Sequence, residues 1–398
     1  QMELSRQMLL LTAENYGSYF LHITKEVNQM KVSIITILDN TNYGTYLQAL
    51  ATGMAVKSLG HEVEIIHYTR PCMTPKGNSK AIYEDRGFIR WFYRCVLKYS
   101  RRSYQLRKLD MDFLKCYLPV TSEYIGFKSL VVNPPQADVY ITGSDQVWNS
   151  FYNRGIDKSY YLDFVPEGKK RISYAASIGM PNFPENEVDE TKRLLEKYQY
   201  VTVRELSAKK ILESLGLASE VVLDPTLLLD KVAWSEIAER YAFKESEPYL
   251  LTYSVEYGKE DSYIKHYAKQ IAEKKGLKLY HITYGGKPFD NYYDKVFTYA
   301  TPDQFLNLML HASFIVVSSF HGTAFSINFN KPFITVSPKK FNSRVMSLLQ
   351  ITGLESRMVT NGNRNVDDFC EIDYMPVCEK LKFERQKSIE LLKNMLTE

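Results

Sequence analysis

Cysteine is scarce in this chain of 398 residues: Cys72, Cys95, Cys116, Cys370 and Cys378 are scattered and odd in number. No C-x-x-C pair occurs, so neither a metal knuckle nor a redox pair is indicated, and reduced cytoplasmic thiols are the plain expectation. Long apolar runs are missing too; none approaches the roughly 18 residues that span a bilayer. Residues 1–30 hold a short apolar patch cut by Glu14, without the basic start and long apolar stretch of a signal peptide, and read as an N-terminal extension. Excess charge of one sign is absent. Fifty Lys and Arg against 46 Asp and Glu leave a net charge of +4, too small to make nucleic acid the main partner. A dinucleotide fingerprint is absent as well. The first apolar run is followed by "DNTNYGTYLQ", with one glycine where G-x-G-x-x-G needs three, which argues against NAD bound in the usual manner. No cofactor and no metal are expected.

What the chain has in plenty is aromatic residues, 30 Tyr and 20 Phe, which either line a sugar-binding cleft or fill cores. It also has alternation. "KVSIITIL" (31–38) reads as a strand buried on both faces, and the spacing of Leu47, Leu50, Ala51 and Met54 predicts a helix over 44–59. Strands are then expected at 62–68, 137–143, 171–179, 200–203 and 220–224, with a helix over 205–215. Near residue 230 the pattern restarts: strand 248–255, helix 259–275, strand 277–283, helix 302–311, strand 313–319, a helix from about 322 and strand 332–336. Helices near 342–351 and 377–396 end the chain. Two βαβ series in tandem imply an α/β protein of two Rossmann-like, doubly wound domains facing a cleft, with expected boundaries 31–230 and 231–398. Ligands in such sheets bind beyond the carboxyl ends of strands, and here in the cleft between domains.

Four stretches at those strand ends could carry chemistry. In "VVSSFHGTAFS", Gly322 and Thr323 would open a helix whose free N–H groups and positive dipole end make an anion site, with Ser319 beside it and His321 at its mouth. An ordinary histidine titrates near pH 6.5 and can hold a proton there, or it is a packed core residue. Arg204 ends the strand "QYVTV"; its planar fork suits a carboxylate or phosphate, or it forms a surface ion pair with Glu205 or Glu213. "ITGSDQVWN" groups Gly143, Ser144, Asp145, Gln146 and Asn149 around Trp148, either an array for sugar hydroxyls or a turn with a buried tryptophan. "NYGTYLQ" puts Asn42 and Gly44 ahead of a helix start.

Taken together and in this order, "NTNYGTYLQALA", "LGHEVEIIHY", "DVYITGSDQVWN", "SYAASIG", "VTVRELSAKKIL", "VVLDPTLLL" and "SSFHGTAFSINFNKPFI" resemble the polysaccharide pyruvyl transferase family over roughly residues 31–355. The resemblance implies a GT-B-like architecture, phosphoenolpyruvate as donor, and a sugar or lipid-linked oligosaccharide of a bacterial capsule or exopolysaccharide as acceptor. The product would be a pyruvate ketal across two hydroxyls. It implies donor-side catalytic roles for Arg204 and His321. One departure is visible: many members read Arg-x-His-Gly, and this chain has Ser319-Phe320-His321-Gly322. Arg344 is the nearest replacement for the missing cation, with Lys339 and Lys340 as others. A protonated His321 would protonate the donor or stabilise departing phosphate, Arg204 would clamp its anionic groups, and Asp145 is a guess for the base. A nucleotide-sugar glycosyltransferase of the same architecture and a non-catalytic glycan-binding homologue stay open as alternatives.

Residues 86–108, "RGFIRWFYRCVLKYSRRSYQLRK", carry eight Lys and Arg and no acid. Arg86, Arg90, Arg94 and Lys98 recur on one helical face, with Phe88, Trp91, Phe92, Cys95 and Tyr99 on another. That pattern either lies on anionic lipid as a basic amphipathic helix or packs its aromatics on the domain. The first case makes the cytoplasmic protein peripheral at the inner face of the plasma membrane.

Overall fold

The computed structural model describes residues 28–38, 42–74, 99–241, 245, 247–254, 259–283, 291–298, 300–337, 343–360, 363–369 and 371–398. The run 86–98 with Arg86, Arg90, Arg94 and Lys98, most of the expected 1–30 extension, and Lys339 and Lys340 lie outside them. Among the described residues no helix is long and apolar enough to cross a membrane.

Lys31–Ile35 is flanked by Glu62–Ile65 on one side and by Val139–Thr142 and then Lys170–Ser173 on the other, all parallel. Isolated bridges Ile172–Tyr200 and Ala176–Val203 carry this sheet on to Thr202–Val203, which pairs with Glu220–Val221. The order reverses between Lys31–Ile35 and Val139–Thr142. At that crevice Thr36 Oγ1 donates to the Ser144 carbonyl at 2.6 Å. The second sheet runs Lys295–Thr298, Lys278–Thr283, Tyr249–Tyr253, Phe314–Val317, Phe333–Val336, Met358–Val359, again all parallel. Its order reverses between Tyr249–Tyr253 and Phe314–Val317. Ligand crevices in open parallel sheets form at such reversals, and the stretches at 42–44, 143–149 and 319–323 all leave strands beside one.

The helix Tyr43–Ser58 joins the two halves. Asn42 caps it, its side chain accepting from the Gly44 N–H at 3.1 Å, and Leu59 and left-handed Gly60 (φ +91°) end it. The i, i+3, i+4 spacing foretold one apolar stripe, whereas the helix is buried nearly all round. The physical reason is that it is covered on both sides. Its outer face packs under the first sheet, and Tyr43 stacks on Phe305 at 4.7 Å and approaches Tyr253 at 5.7 Å in the other half. One apolar core therefore runs from Val32 and Ile141 through Leu47 and Leu50 to Phe305, Leu251 and Ile315. The helix Met375–Thr397, grouped above with residues 231–398, also reaches back to the first half. Lys170 Nζ donates to the Met395 carbonyl at 3.2 Å, Ser388 Oγ accepts from the Leu223 N–H at 3.1 Å, and Arg385 Nε donates to the Leu227 carbonyl at 2.7 Å.

Helices 259–275 and 302–311 form as the spacing predicts, as Lys259–Lys275 and Pro302–His311. The second has a capping box, with the Thr301 N–H donating to Gln304 Oε1. Strands are shorter than read. The apolar run 62–68 divides into Glu62–Ile65 and Tyr68–Thr69, because residues 68–69 pair with Tyr124–Ile125 instead.

Inside the helix Tyr99–Lys115, Asp110 is buried, and no described group donates to its Oδ2. Burial pushes its carboxyl up to about 8. The unfolded chain releases this proton near pH 4, so stability is lost as pH rises from about 4 to about 8, by up to about 5 kcal/mol. Asp110→Asn is expected to flatten that slope and raise stability at pH 8. Denaturant titrations at pH 5 and pH 8 check it, and an unchanged difference between the two would refute it.

Candidate active site

The two strand-order reversals meet at one buried charge cluster. Arg204 follows Thr202–Val203 and is only 4% exposed; of the two pairs considered from sequence it makes the one with Glu205, Nε to Oε2 at 3.8 Å, but as a buried pair and not a surface one. Its Nη1 donates to Asp224 Oδ2 at 2.8 Å and to Ser144 Oγ at 3.3 Å, and Ser144 Oγ in turn donates to Asp224 Oδ2 at 3.0 Å. The guanidinium stacks over the Phe320 ring at 4.5 Å, which holds its plane. Asp224 Oδ1 accepts from the Thr226 N–H at 3.0 Å and Thr226 Oγ1 at 2.6 Å. Burial by itself would raise the Asp224 carboxyl. The charges of Arg204 and His321, with these hydrogen bonds, hold it below the usual carboxylate range. Burial likewise disfavours the Arg204 charge, but Asp224, Glu205 and Asp145 together raise its pKa.

His321 is brought to the same place from the other half. The helix that carries it begins two residues earlier than the sequence suggested, at Phe320, because Ser319 is the N-cap: its Oγ accepts from the Gly322 N–H at 3.0 Å. His321 therefore lies in the first helical turn rather than ahead of it. Its Nε2 is 3.9 Å from Asp224 Oδ2 and makes no hydrogen bond. The Nδ1 side of the ring lies against Gly44, where an added Cβ would fall 1.9 Å from Nδ1. Asn42 joins the halves again, accepting at its Oδ1 from the Tyr253 hydroxyl at 3.3 Å. Burial pulls His321 below its ordinary pKa, opposed by Asp224. Burial therefore works against the imidazolium, and a neighbouring negative charge works for it.

Asp145 lies in the left-handed region (φ +81°), a conformation that side chains other than Gly, Asn and Asp rarely adopt. Its Oδ2 accepts from Thr45 Oγ1 at 3.1 Å and its Oδ1 from the Gln146 N–H at 2.8 Å. Arg344, at the start of the helix Ser343–Thr352, has its pKa lowered by burial and by the charge of Arg204; Glu205, Asp145 and Tyr152 act on it in the opposite direction. Its Nε is buried without a hydrogen bond.

Several expected site residues serve the scaffold. Trp148 is a correction: the ring is 1% exposed, its Nε1 donates to the Tyr160 carbonyl at 3.1 Å, and it stacks on Tyr161, so it offers no face to a sugar. Thr323 Oγ1 donates to the Ser319 carbonyl and bonds Thr335 Oγ1, both at 3.0 Å, inside the fold. Gly322 is required by packing, since a Cβ there would meet Val317 Cγ1 at 2.9 Å. Gly143 lies tight against Thr36, and Gln146 Oε1 accepts from Asn149 Nδ2 at 2.8 Å. The exposed aromatic side chains beside this loop are Phe151 and Tyr152, 68% and 46% exposed. Asp224 and Glu205 were missed as site residues. The visible signal for Asp224 was an acid leaving a strand before proline, "VVLDPT"; Glu205 was visible only as a neighbour of Arg204.

Among the described residues, five buried polar atoms of this cluster have no hydrogen-bond partner: Arg204 Nε and Nη2, Arg344 Nε, His321 Nε2 and Glu205 Oε2. Four are cation or ring nitrogens, an arrangement suited to an anion with several oxygens. Among the described residues no group of three or more His, Cys, Asp and Glu side chains could hold a metal ion.

The fold class is GT-B-like. A UDP-GlcNAc 2-epimerase from Methanocaldococcus jannaschii superposes with TM-score 0.50 at 14% identity, over 92% of this chain and 99% of that one. A protein assigned as a UDP-N-acetylglucosamine 2-epimerase from Listeria monocytogenes superposes with TM-score 0.51 at 9% identity, over 91% of both chains. At such identities the likeness concerns the fold alone. No curated protein matches the sequence. Residues 42–340 match polysaccharide pyruvyl transferase, and the chain belongs to that family.

Proposed function

We propose that this protein transfers the pyruvyl group of phosphoenolpyruvate to two hydroxyls of a sugar in a surface-polysaccharide precursor. The observation that carries the reading is the set of unpaired buried nitrogens on Arg204, Arg344 and His321 at the meeting of the two crevices. Phosphoenolpyruvate bears a phosphate and a carboxylate on a small frame, which matches two guanidinium groups and an imidazole. Arg344, which feels the charge of Arg204, would supply the second cation, since Ser319 is occupied as a helix cap. Tyr152, whose charge acts on Arg344, and its neighbour Phe151 are exposed aromatic side chains of the kind a pyranose ring packs on.

In the proposed reaction the donor's C3 takes a proton as one sugar hydroxyl adds to C2. The second hydroxyl then displaces phosphate. Two O–H bonds break, one C–H bond forms, and the remaining proton leaves on phosphate. His321 is the proton donor to C3. Burial lowers its pKa, and an anion bound beside it would favour the imidazolium that the step needs.

Binding of phosphoenolpyruvate near pH 7.5 is therefore expected to take up close to one proton. Calorimetry in two buffers of different ionisation enthalpy measures it, and His321→Gln is expected to abolish the uptake. No heat with phosphoenolpyruvate, or release of UDP from UDP-sugars in its place, would overturn the reading.

A further inference from the structure

The cluster holds three buried carboxylates, and they are not equivalent. Asp224 has both oxygens engaged, Oδ1 by Thr226 and Oδ2 by Arg204 and Ser144. Asp145 also has both engaged, Oδ1 by the Gln146 N–H and Oδ2 by Thr45. Glu205 differs. It stands at the N-cap position of the helix Leu206–Ser214 but makes no capping bond there. Its side chain turns to the loop 177–179, where Oε1 accepts from Ser177 Oγ at 2.8 Å, the Ile178 N–H at 3.2 Å and the Gly179 N–H at 3.4 Å. Three donors on one oxygen fix the carboxylate plane. The other oxygen, Oε2, is buried, 3.8 Å from Arg204 Nε, and accepts no hydrogen bond; the residue is 1% exposed.

A buried carboxylate oxygen without a donor is costly, and it sits among nitrogens that await an anion. It weakens anion binding by like-charge repulsion, and the free partner it suits is a neutral O–H donor. The acceptor sugar brings such a group. Glu205 also acts on the charges of both Arg204 and Arg344.

We infer that Glu205 Oε2 is the general base of the transfer: it accepts the hydrogen bond of the attacking sugar hydroxyl and takes its proton as the C2–O bond forms. This rests on the phosphoenolpyruvate reading above. The oxygen's lone pair goes to C2, the C2–C3 π pair takes the proton from His321, and the hydroxyl proton resides on Glu205. When the second hydroxyl displaces phosphate, that hydroxyl's proton leaves on phosphate. Return of the Glu205 proton to His321, directly or through solvent, resets both groups. Asp145, the guess from sequence, is left as a positioning residue held by Thr45.

Two variants separate a base from a scaffold part. Glu205→Gln keeps an oxygen for the three Oε1 donors and removes the charge. It is expected to bind phosphoenolpyruvate about fivefold more tightly by calorimetry, and to lower kcat about 100-fold or more in phosphate release with a panel of methyl hexopyranosides carrying free diols. Glu205→Asp keeps the charge and withdraws its reach. It is expected to leave phosphoenolpyruvate affinity within about twofold while kcat still falls. Unchanged or weaker phosphoenolpyruvate binding in Glu205→Gln, or kcat within about threefold of the parent, would refute the assignment. Failure of the parent itself to bind phosphoenolpyruvate would sink the donor reading instead, so the two failures are told apart.

Discussion

Arg204→Ala is expected to abolish phosphoenolpyruvate binding and to cost about 3–5 kcal/mol of stability, because Asp224 then remains buried without its main counter-charge. The structure separates two functions of one side chain. Nη1 is committed to Asp224 and Ser144, while Nε and Nη2 make no hydrogen bond and are the atoms the proposed donor would use. Each lost bond to a charged group is worth about 1.5–3 kcal/mol, so removing two weakens binding by about 100-fold or more. Adding Asp224→Asn to Arg204→Ala is expected to return part of the stability and none of the binding, since the stranded charge is gone but the fork is not restored. Denaturant midpoints and calorimetry on the pair measure both. A single variant that melts with the parent would show that Asp224 does not depend on Arg204.

Gly44→Ala is expected to be nearly as damaging, although it adds one methyl group. The new Cβ would fall 1.9 Å from His321 Nδ1 and 2.2 Å from Cγ. Both residues lie in the first turns of buried helices, so relief requires the imidazole to turn or the helix Tyr43–Ser58 to shift against the second half. A displacement of about 1 Å at a reacting group can cost about 100-fold in rate, and overpacking of this kind costs roughly 1–3 kcal/mol. In the Gly44→Ala background, His321→Ala is expected to restore stability by removing the clash and to leave turnover absent. A Gly44→Ala protein with parental kcat/KM would mean that the ring has room the structure does not give it.

These two cases mark how much was legible beforehand. The helices 259–275 and 302–311 were readable to the residue, since each carries its signal locally in apolar spacing, and the second also in a Thr-Pro start. Arg204 and His321 were singled out because each follows an apolar strand at its carboxyl end. Trp148 was misjudged because polar neighbours in sequence say nothing about which side of a turn a ring packs on. The contact of Gly44 with His321 joins residues far apart in the chain, and no periodicity encodes such a pair. Glu205 read as half of a surface ion pair because its place inside the fold depends on the loop 177–179, which is distant in sequence.

What the sequence by itself determined is the alternation of strands and helices in two series, the family, and the kinds of side chain at the strand ends. Hydrophobic period and turn chemistry are local properties and survive in one dimension. What only the tertiary structure decided is which polar atoms are already satisfied. Asp224 uses up one nitrogen of Arg204, Ser319 uses up its hydroxyl, and Glu205 keeps one oxygen free, because hydrogen bonds form between atoms within about 3 Å in space whatever their distance along the chain.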